Sequence, residues 1–192
     1  MGLRTRISLG VGRLQIKSIG IVSSNAREGK STIASNLAVL CAQSGSRTLL
    51  VDADLGRGQL SQVVAPADAS GLLQVLQGSV RLDSALVRDI TPNLDFLASG
   101  GPPIPLSNER LLGSEVMSTL IQEIAHAYDV VIFDLPALQS STSALAVGPY
   151  LEAMLLVTEW GKTSITATVE GAYWLQAVQA RLVGAVIAKA DA

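Results

Sequence analysis

Ser18-Ile-Gly-Ile-Val-Ser-Ser-Asn-Ala-Arg-Glu-Gly-Lys-Ser-Thr32 decides how this chain is read. Its first six residues form a short apolar run of the kind a buried strand needs. A loop of small residues follows, and the pattern Ile33, Leu37, Leu40, Cys41 marks a helix. Strand, loop, Gly29-Lys30-Ser31 and helix, in that order, are the setting a phosphate loop requires. Loop and helix N-terminal N–H groups attract phosphate oxygens, Lys30 neutralises β- and γ-phosphate charge, and the Ser31 hydroxyl can ligate magnesium. Glu28, Gly29, Lys30, Ser31 and Thr32 are therefore the expected nucleotide-binding residues, with a nucleoside triphosphate and its Mg2+ as ligands. The competing reading, a helix N-cap followed by ordinary residues, explains the helix start but not the coincidence of all four features. The loop departs from G-x-x-x-x-G-K-[ST] at its first glycine, where Ser24 stands, and Arg27 occupies a place better suited to a small residue.

Gly45 ends the first helix, and Arg47 to Asp54 predicts a second strand closing on Asp52 and Asp54. Residues alternate along a strand, so these carboxylates diverge unless the strand stops between them. One can then reach magnesium or a substrate hydroxyl while the other serves the following loop. Val130-Val-Ile-Phe-Asp134 is a buried strand that carries Asp134 to its end, where a carboxylate reaches magnesium in phosphate-loop enzymes. Asp129, at its start, reads as a turn residue. His126 lies in a helix without ligand-spaced neighbours and reads as a surface histidine.

The rest of the chain continues the alternation. Gly58 to Ser70 reads as an irregular surface stretch. Gly71 to Leu76 and Leu82 to Val87 read as short helices, and Leu94 to Leu97 as a brief strand. Gly100-Gly-Pro-Pro-Ile-Pro breaks regular structure before a helix marked by Leu111, Leu112, Val116, Leu120, Ile121 and Ile124. Ala153 to Thr158 is a strand, Ser164 to Ala180 a helix and Leu182 to Ala188 a last strand. The expectation is an α/β chain of the P-loop NTPase fold, a mainly parallel sheet flanked by helices, with ligands beyond the C-terminal strand ends.

Composition agrees. Of 192 residues, 48% are hydrophobic and 16% charged, which excludes general disorder and suits one domain. An aromatic share of 4% leaves the core to Val, Leu, Ile and Ala, as in a parallel sheet covered on both faces. A net charge of −2 gives no footprint for nucleic acid. The basic cluster Arg4, Arg6, Arg13 and Lys17 reads as solvated or partner-facing. Cys41, alone, reads as core packing. No apolar run is long enough for a bilayer and no signal peptide is visible, so a reducing, cytoplasmic setting is expected.

With these segments in place, the chain resembles the cytoplasmic domain of bacterial tyrosine kinases, the polysaccharide co-polymerase and capsular exopolysaccharide group of P-loop proteins. The likeness runs through Glu28-Gly-Lys-Ser-Thr-Ile-Ala-Ser-Asn-Leu-Ala, Leu49-Leu-Val-Asp-Ala-Asp-Leu and Gly71-Leu-Leu-Gln-Val-Leu-Gln-Gly. It continues in Asn93-Leu-Asp-Phe-Leu, Tyr128-Asp-Val-Val-Ile-Phe-Asp and Leu156-Val-Thr-Glu-Trp-Gly-Lys-Thr. The resemblance assigns Lys30 with Ser31 or Thr32 to Walker A, Asp52 and Asp54 to Walker A′, and Asp134 to Walker B. It implies transfer of the ATP γ-phosphoryl group to tyrosine, with Lys30, Asp52 and Asp54 catalytic and Ser31, Asp54 and Asp134 at the magnesium. It further implies a homo-oligomer, with a ring as the form the family suggests, at the inner face of the bacterial inner membrane. By the same resemblance, a membrane-anchoring co-polymerase segment is expected in the same or another chain, in a system that regulates exopolysaccharide or capsule biosynthesis and export.

Residues 1–16 read as the remnant of the family's oligomerisation helix and a linker, keeping Leu3-Arg-Thr-Arg, and 17–192 as the kinase-like domain. The chain departs from the family at Ala26-Arg27, where Pro-Gly is usual, at Gly56, where an arginine is usual, and at Ala188, where an asparagine often reads adenine. Its only tyrosines are Tyr128, Tyr150 and Tyr173, with no tyrosine-rich tail. These departures motivate an alternative, a nucleotide-dependent assembly module with little or no phosphotransfer. A partition or cell-division ATPase is a third reading, but Asn25 stands where those proteins carry a lysine.

Overall fold

The computed structural model describes residues 16–66, 68–101 and 106–190. The expectations for Leu3-Arg-Thr-Arg and for Arg4, Arg6 and Arg13 lie outside them. The strands are β1 (Ser18–Ser23), β2 (Thr48–Asp52), β3 (Leu86–Thr91), β4 (Leu94–Leu97), β5 (Val130–Asp134), β6 (Ala153–Glu159) and β7 (Leu182–Ala188). The helices are α1 (Lys30–Gln43), α2 (Gln59–Val64), α3 (Leu72–Leu76), α4 (Leu82–Ala85), α5 (Glu115–Ala127), α6 (Ser143–Val147) and α7 (Ile165–Ala177). The sheet runs β3-β4-β2-β5-β1-β6-β7 and is parallel except where β3 pairs antiparallel with β4.

The central strands bury both faces, and the pleat sorts their residues. Val22, Leu49, Val51, Val131 and Phe133 join one core, with α5 and α7 against it. Ile19, Ile21, Leu50 and Ile132 join the other, under α1. The inner face of α1 consists of Ala34, Ala38, Cys41 and Ala42, small residues that bring its backbone close to the sheet. Leu40, read from the sequence as part of the buried stripe, is instead exposed. An apolar period marks the helix, but the tight approach selects the alanines to face inward.

Three boundaries differ from the sequence expectation. The stretch Gly58 to Ser70 contains α2, a helix with no fully buried residue and hence no strong apolar period. The helix read over Leu82–Val87 stops at Ala85, and Leu86 to Thr91 becomes the edge strand β3, half polar and bent where its register slips beside Asp89 (φ 49°). Leu111 and Leu112 precede α5 rather than beginning it, because Ser114 caps that helix by accepting from the Met117 N–H.

The topology makes the site. β5 lies between β1 and β2, so the C-terminal ends of these three strands are neighbours. In register, Asp134 sits beside Ile21 on one side and beside Asp52 on the other. The loop after β1, the carboxylates at and just beyond the end of β2 and Asp134 thus converge, although they are scattered along the chain.

Candidate nucleotide site

Gly29 opens α1 at φ +98°, where a side chain is strained, and Lys30 follows as the first helical residue. Lys30 is buried, and its Nζ lies 3.2 Å from Asp134 Oδ1 and 3.4 Å from Asp54 Oδ2. Burial raises the Asp134 carboxyl above its usual range, opposed by the Lys30 charge and by Ser31. Asp134 Oδ2 is buried without a hydrogen-bond partner among the described residues. An orphaned anionic oxygen next to Lys30, Ser31 and Asp54 is an oxygen-rich setting that fits a hard cation such as magnesium.

The strand does stop between Asp52 and Asp54, and the pair divides. Asp52 is fully buried at the end of β2. Its Oδ2 accepts from Ser61 N (2.8 Å) and Ser61 Oγ (2.7 Å), and its Oδ1 from Asp54 N (3.1 Å). Burial pushes its carboxyl up to about 6, with the Ser61 hydrogen bonds holding it down and Asp134 adding repulsion. Asp54 turns the other way, towards Lys30, and borders the cavity.

That cavity has a volume of about 360 Å³. Arg27, Gly29, Lys30, Ser31 and Thr32 form one wall, Asp54, Gly56 and Arg57 another, and Pro136, Ser140 and Ser141 a third. Glu28 is buried behind the wall. Its carboxylate accepts from Asn25 N (2.8 Å), Asn25 Nδ2 (2.8 Å) and the Thr163 hydroxyl, so it shapes the loop from within. Of the residues expected from the sequence, Gly29, Lys30, Ser31, Thr32, Asp54 and Asp134 therefore meet around one point, while Asp52 and Glu28 stand behind them.

Other residues here had no role assigned from the sequence. Lys189 lines the cavity, and its Nζ reaches the Arg27 carbonyl at 2.6 Å. Its place directly after β7, at the ligand-binding end of the sheet, was the available signal. Thr163 carried no local signal, since its partner Glu28 lies 135 residues away, and Ser61, nine residues from Asp52, belongs to no motif. His126 is exposed, with Nδ1 2.7 Å from the Gln122 carbonyl, and Asp129 joins Arg47 in an exposed ion pair. Among the described residues no helix is long and apolar enough to cross a membrane.

A family model described as an AAA domain matches residues 16–151, more than half of the chain. The tyrosine-protein kinase YwqD of Bacillus subtilis is 35% identical over 185 residues, which cover 96% of this chain and 77% of YwqD. This chain belongs to the bacterial tyrosine-protein kinase family. The succinoglycan biosynthesis transport protein ExoP of Rhizobium meliloti is 36% identical over 175 residues, 90% of this chain but 22% of ExoP. The kinase domain of the Escherichia coli tyrosine kinase ETK superposes with a TM-score of 0.84 at 26% identity, covering 94% of this chain and 71% of that one. The seven-strand, mostly parallel sheet with flanking helices is that of the P-loop NTPases.

Proposed function

We propose that this chain is the ATP- and magnesium-dependent tyrosine kinase domain of an exopolysaccharide or capsule export system. The observation that carries the reading is Lys30, held between Asp54 and Asp134 at the wall of a cavity made by the phosphate loop. A lysine with two carboxylate partners can exchange one for a γ-phosphate while the other remains to orient it. Loop N–H groups would bind phosphate oxygens, and the Ser31 hydroxyl, Asp54 and Asp134 would hold magnesium. Bound magnesium supplies charge neutralisation at the β- and γ-phosphates.

A tyrosine oxygen then forms a bond to the γ-phosphorus while the bond to the β,γ-bridging oxygen breaks, releasing ADP. Asp54, bordering the cavity, accepts the phenolic proton. Asp52 fixes the turn after β2 through Ser61 and so sets where Asp54 points. Such a transfer depends on positioning and charge, so losing one group slows it severely. The name of ExoP, a succinoglycan biosynthesis transport protein, supports the exopolysaccharide setting; the proposal adds a membrane-anchoring co-polymerase segment in this or another chain, assembly into a homo-oligomer, and action at the inner face of the inner membrane.

Arg27, at φ 67° in the phosphate loop, favours a second reading, an assembly module that binds nucleotide without transferring phosphate. Calorimetry with Mg·ATP and Mg·ADP on the wild type and Lys30→Ala, with phosphotyrosine detection on a supplied tyrosine-rich peptide, separates the two. Binding lost in the variant together with wild-type phosphotyrosine supports the kinase. Binding without transfer supports the module, and no wild-type binding overturns both.

A further inference from the structure

The phosphate loop is fastened from outside itself: the Leu138 and Gln139 N–H groups, beyond β5, donate to the Ser23 and Ser24 carbonyls, and further side-chain fastenings come from the unit β6-α7-β7. Ser24 Oγ donates to the Ala167 carbonyl in α7 at 3.0 Å. The Thr163 hydroxyl, in the turn between β6 and α7, accepts from the Glu159 N–H at 2.8 Å and donates to Glu28. A hydroxyl has one proton, so with its oxygen already accepting, that proton is committed to Glu28. Glu28 in turn holds both donors of Asn25. Lys189, just past β7, donates to the Arg27 carbonyl at 2.6 Å and pairs with Glu159 Oε2 at 3.0 Å. Glu159 thus joins the two fastenings.

The loop needs such help. Arg27 sits at φ 67°, a left-handed conformation disfavoured for a residue with a side chain, and the loop lacks a glycine at both position 24 and position 27. Strained backbone of this kind persists only where surrounding contacts over-determine it. The contacts found here are those of Glu28 and Lys189, on either side of the Arg27 carbonyl.

We propose that Thr163 and Lys189 are positioning residues for the nucleotide: they clamp the phosphate loop in its binding shape by holding Glu28 and the Arg27 carbonyl. Neither touches the reacting atoms through this contact; they set the direction of the loop N–H groups that do. The inference rests on the nucleotide-binding reading of the cavity, and the clamp itself can be tested without nucleotide.

The experiment uses the full chain as wild type, Thr163→Val, Thr163→Ser, Lys189→Met, Arg27→Gly and Lys189→Met/Arg27→Gly, with thermal midpoints recorded for each. Hydrogen exchange of the loop amides in nucleotide-free protein reads the clamp directly. Thr163→Val is expected to expose the Asn25 amide, which Glu28 accepts, while Thr163→Ser keeps it protected. Calorimetry with Mg·ADP reads the consequence: about tenfold weaker binding for Thr163→Val and Lys189→Met, and restoration in Thr163→Ser. Glycine adopts the left-handed conformation freely, so the Lys189→Met loss is expected to shrink in the Arg27→Gly background. Exchange and affinity unchanged in Thr163→Val and Lys189→Met would overturn the clamp. A wild type that binds no nucleotide would overturn the cavity reading, while exchange still decides the clamp. If Thr163→Val lowers the thermal midpoint broadly, Lys189→Met, altered at a half-exposed side chain, decides.

Discussion

Lys189 and Arg27 stand 162 residues apart, and the ammonium of the first meets the carbonyl of the second at 2.6 Å; both have positive φ, 55° and 67°. Two strained backbones are thus joined at the cavity wall. Relief of the strain at position 27 gives the first prediction. Arg27→Gly is expected to raise stability by a few tenths to about 1 kcal/mol, since glycine's unfolded-state entropy offsets part of the gain. Arg27→Ala, which removes the charge but keeps the strained side-chain class, is expected to leave it near the wild type. Urea midpoints on the three proteins check this, and an equal gain in Arg27→Ala would assign the effect to charge.

The contacts of Lys30 give a second prediction. Both partners are buried, so removing the ammonium strands two carboxylates with little solvent access. Lys30→Met is expected to cost about 3 kcal/mol at neutral pH, the usual order for breaking a buried pair from one side. Adding Asp134→Asn neutralises one of the stranded groups and is expected to recover part of the loss. Urea denaturation of the single and double variants reads both steps. A double variant less stable than Lys30→Met would show that Asp134 is satisfied without the lysine.

How much of this was legible in sequence depended on whether the signal was local. β1, the phosphate loop, β5 and β6 announced themselves because a buried parallel strand is an uninterrupted apolar run and the loop is a contiguous motif. β3 did not, because an edge strand with half its residues in solvent has no such run, and its antiparallel partner β4 supplies most of its definition. Asp52 and Asp54 were visible as a pair that divides between cavity and loop, but not which of them takes which side. Their division depends on Ser61, nine residues on, and Lys30, on another element. Thr163 was invisible as a site residue and Lys189 was marked only by its place after β7, because their partners in the phosphate loop are 135 and 162 positions away. No window of sequence contains that information.

Glycine positions give a third prediction, with its control. At Gly71, an added Cβ would lie 2.2 Å from the Ala98 carbonyl oxygen and 2.7 Å from the Gly100 nitrogen, all backbone that cannot swing aside. The approach lets the Leu72 N–H donate to Ala98 and the Leu73 N–H donate to Ser99, seating α3 against the end of β4. Gly71→Ala is expected to cost about 2–3 kcal/mol, at the upper end of overpacking penalties. At Gly184 in β7 the nearest atom to an added Cβ is Leu155 Cδ1 at 3.9 Å, ordinary contact. Gly184→Ala is therefore expected to be neutral or stabilising by a few tenths of a kcal/mol. Thermal melts of both variants check the contrast, and similar midpoints would sink the steric account.

Cys41 yields the pH-dependent prediction. Its thiol faces the sheet from α1 beside Ala38 and Ala42, and burial raises its pKa above the ordinary thiol value. The folded chain therefore keeps the thiol proton at a pH where the unfolded chain, titrating near about 8.5, has lost it. The sign follows from proton linkage: the folded state binds more protons in that window, so stability is intact below the unfolded pKa and falls as pH rises towards the folded one. The slope contributed by one such group is at most about 1.4 kcal/mol per pH unit. Cys41→Ala removes it while leaving the other titrating groups in place. Urea midpoints at pH 7.5, 8.5 and 9.5 are therefore expected to fall more steeply for the wild type than for Cys41→Ala, whatever the offset from the lost sulfur. A native thiol that reacted with Ellman's reagent at the rate of an unfolded one would contradict the burial, and parallel slopes in the two proteins would remove Cys41 from the alkaline side of the stability profile.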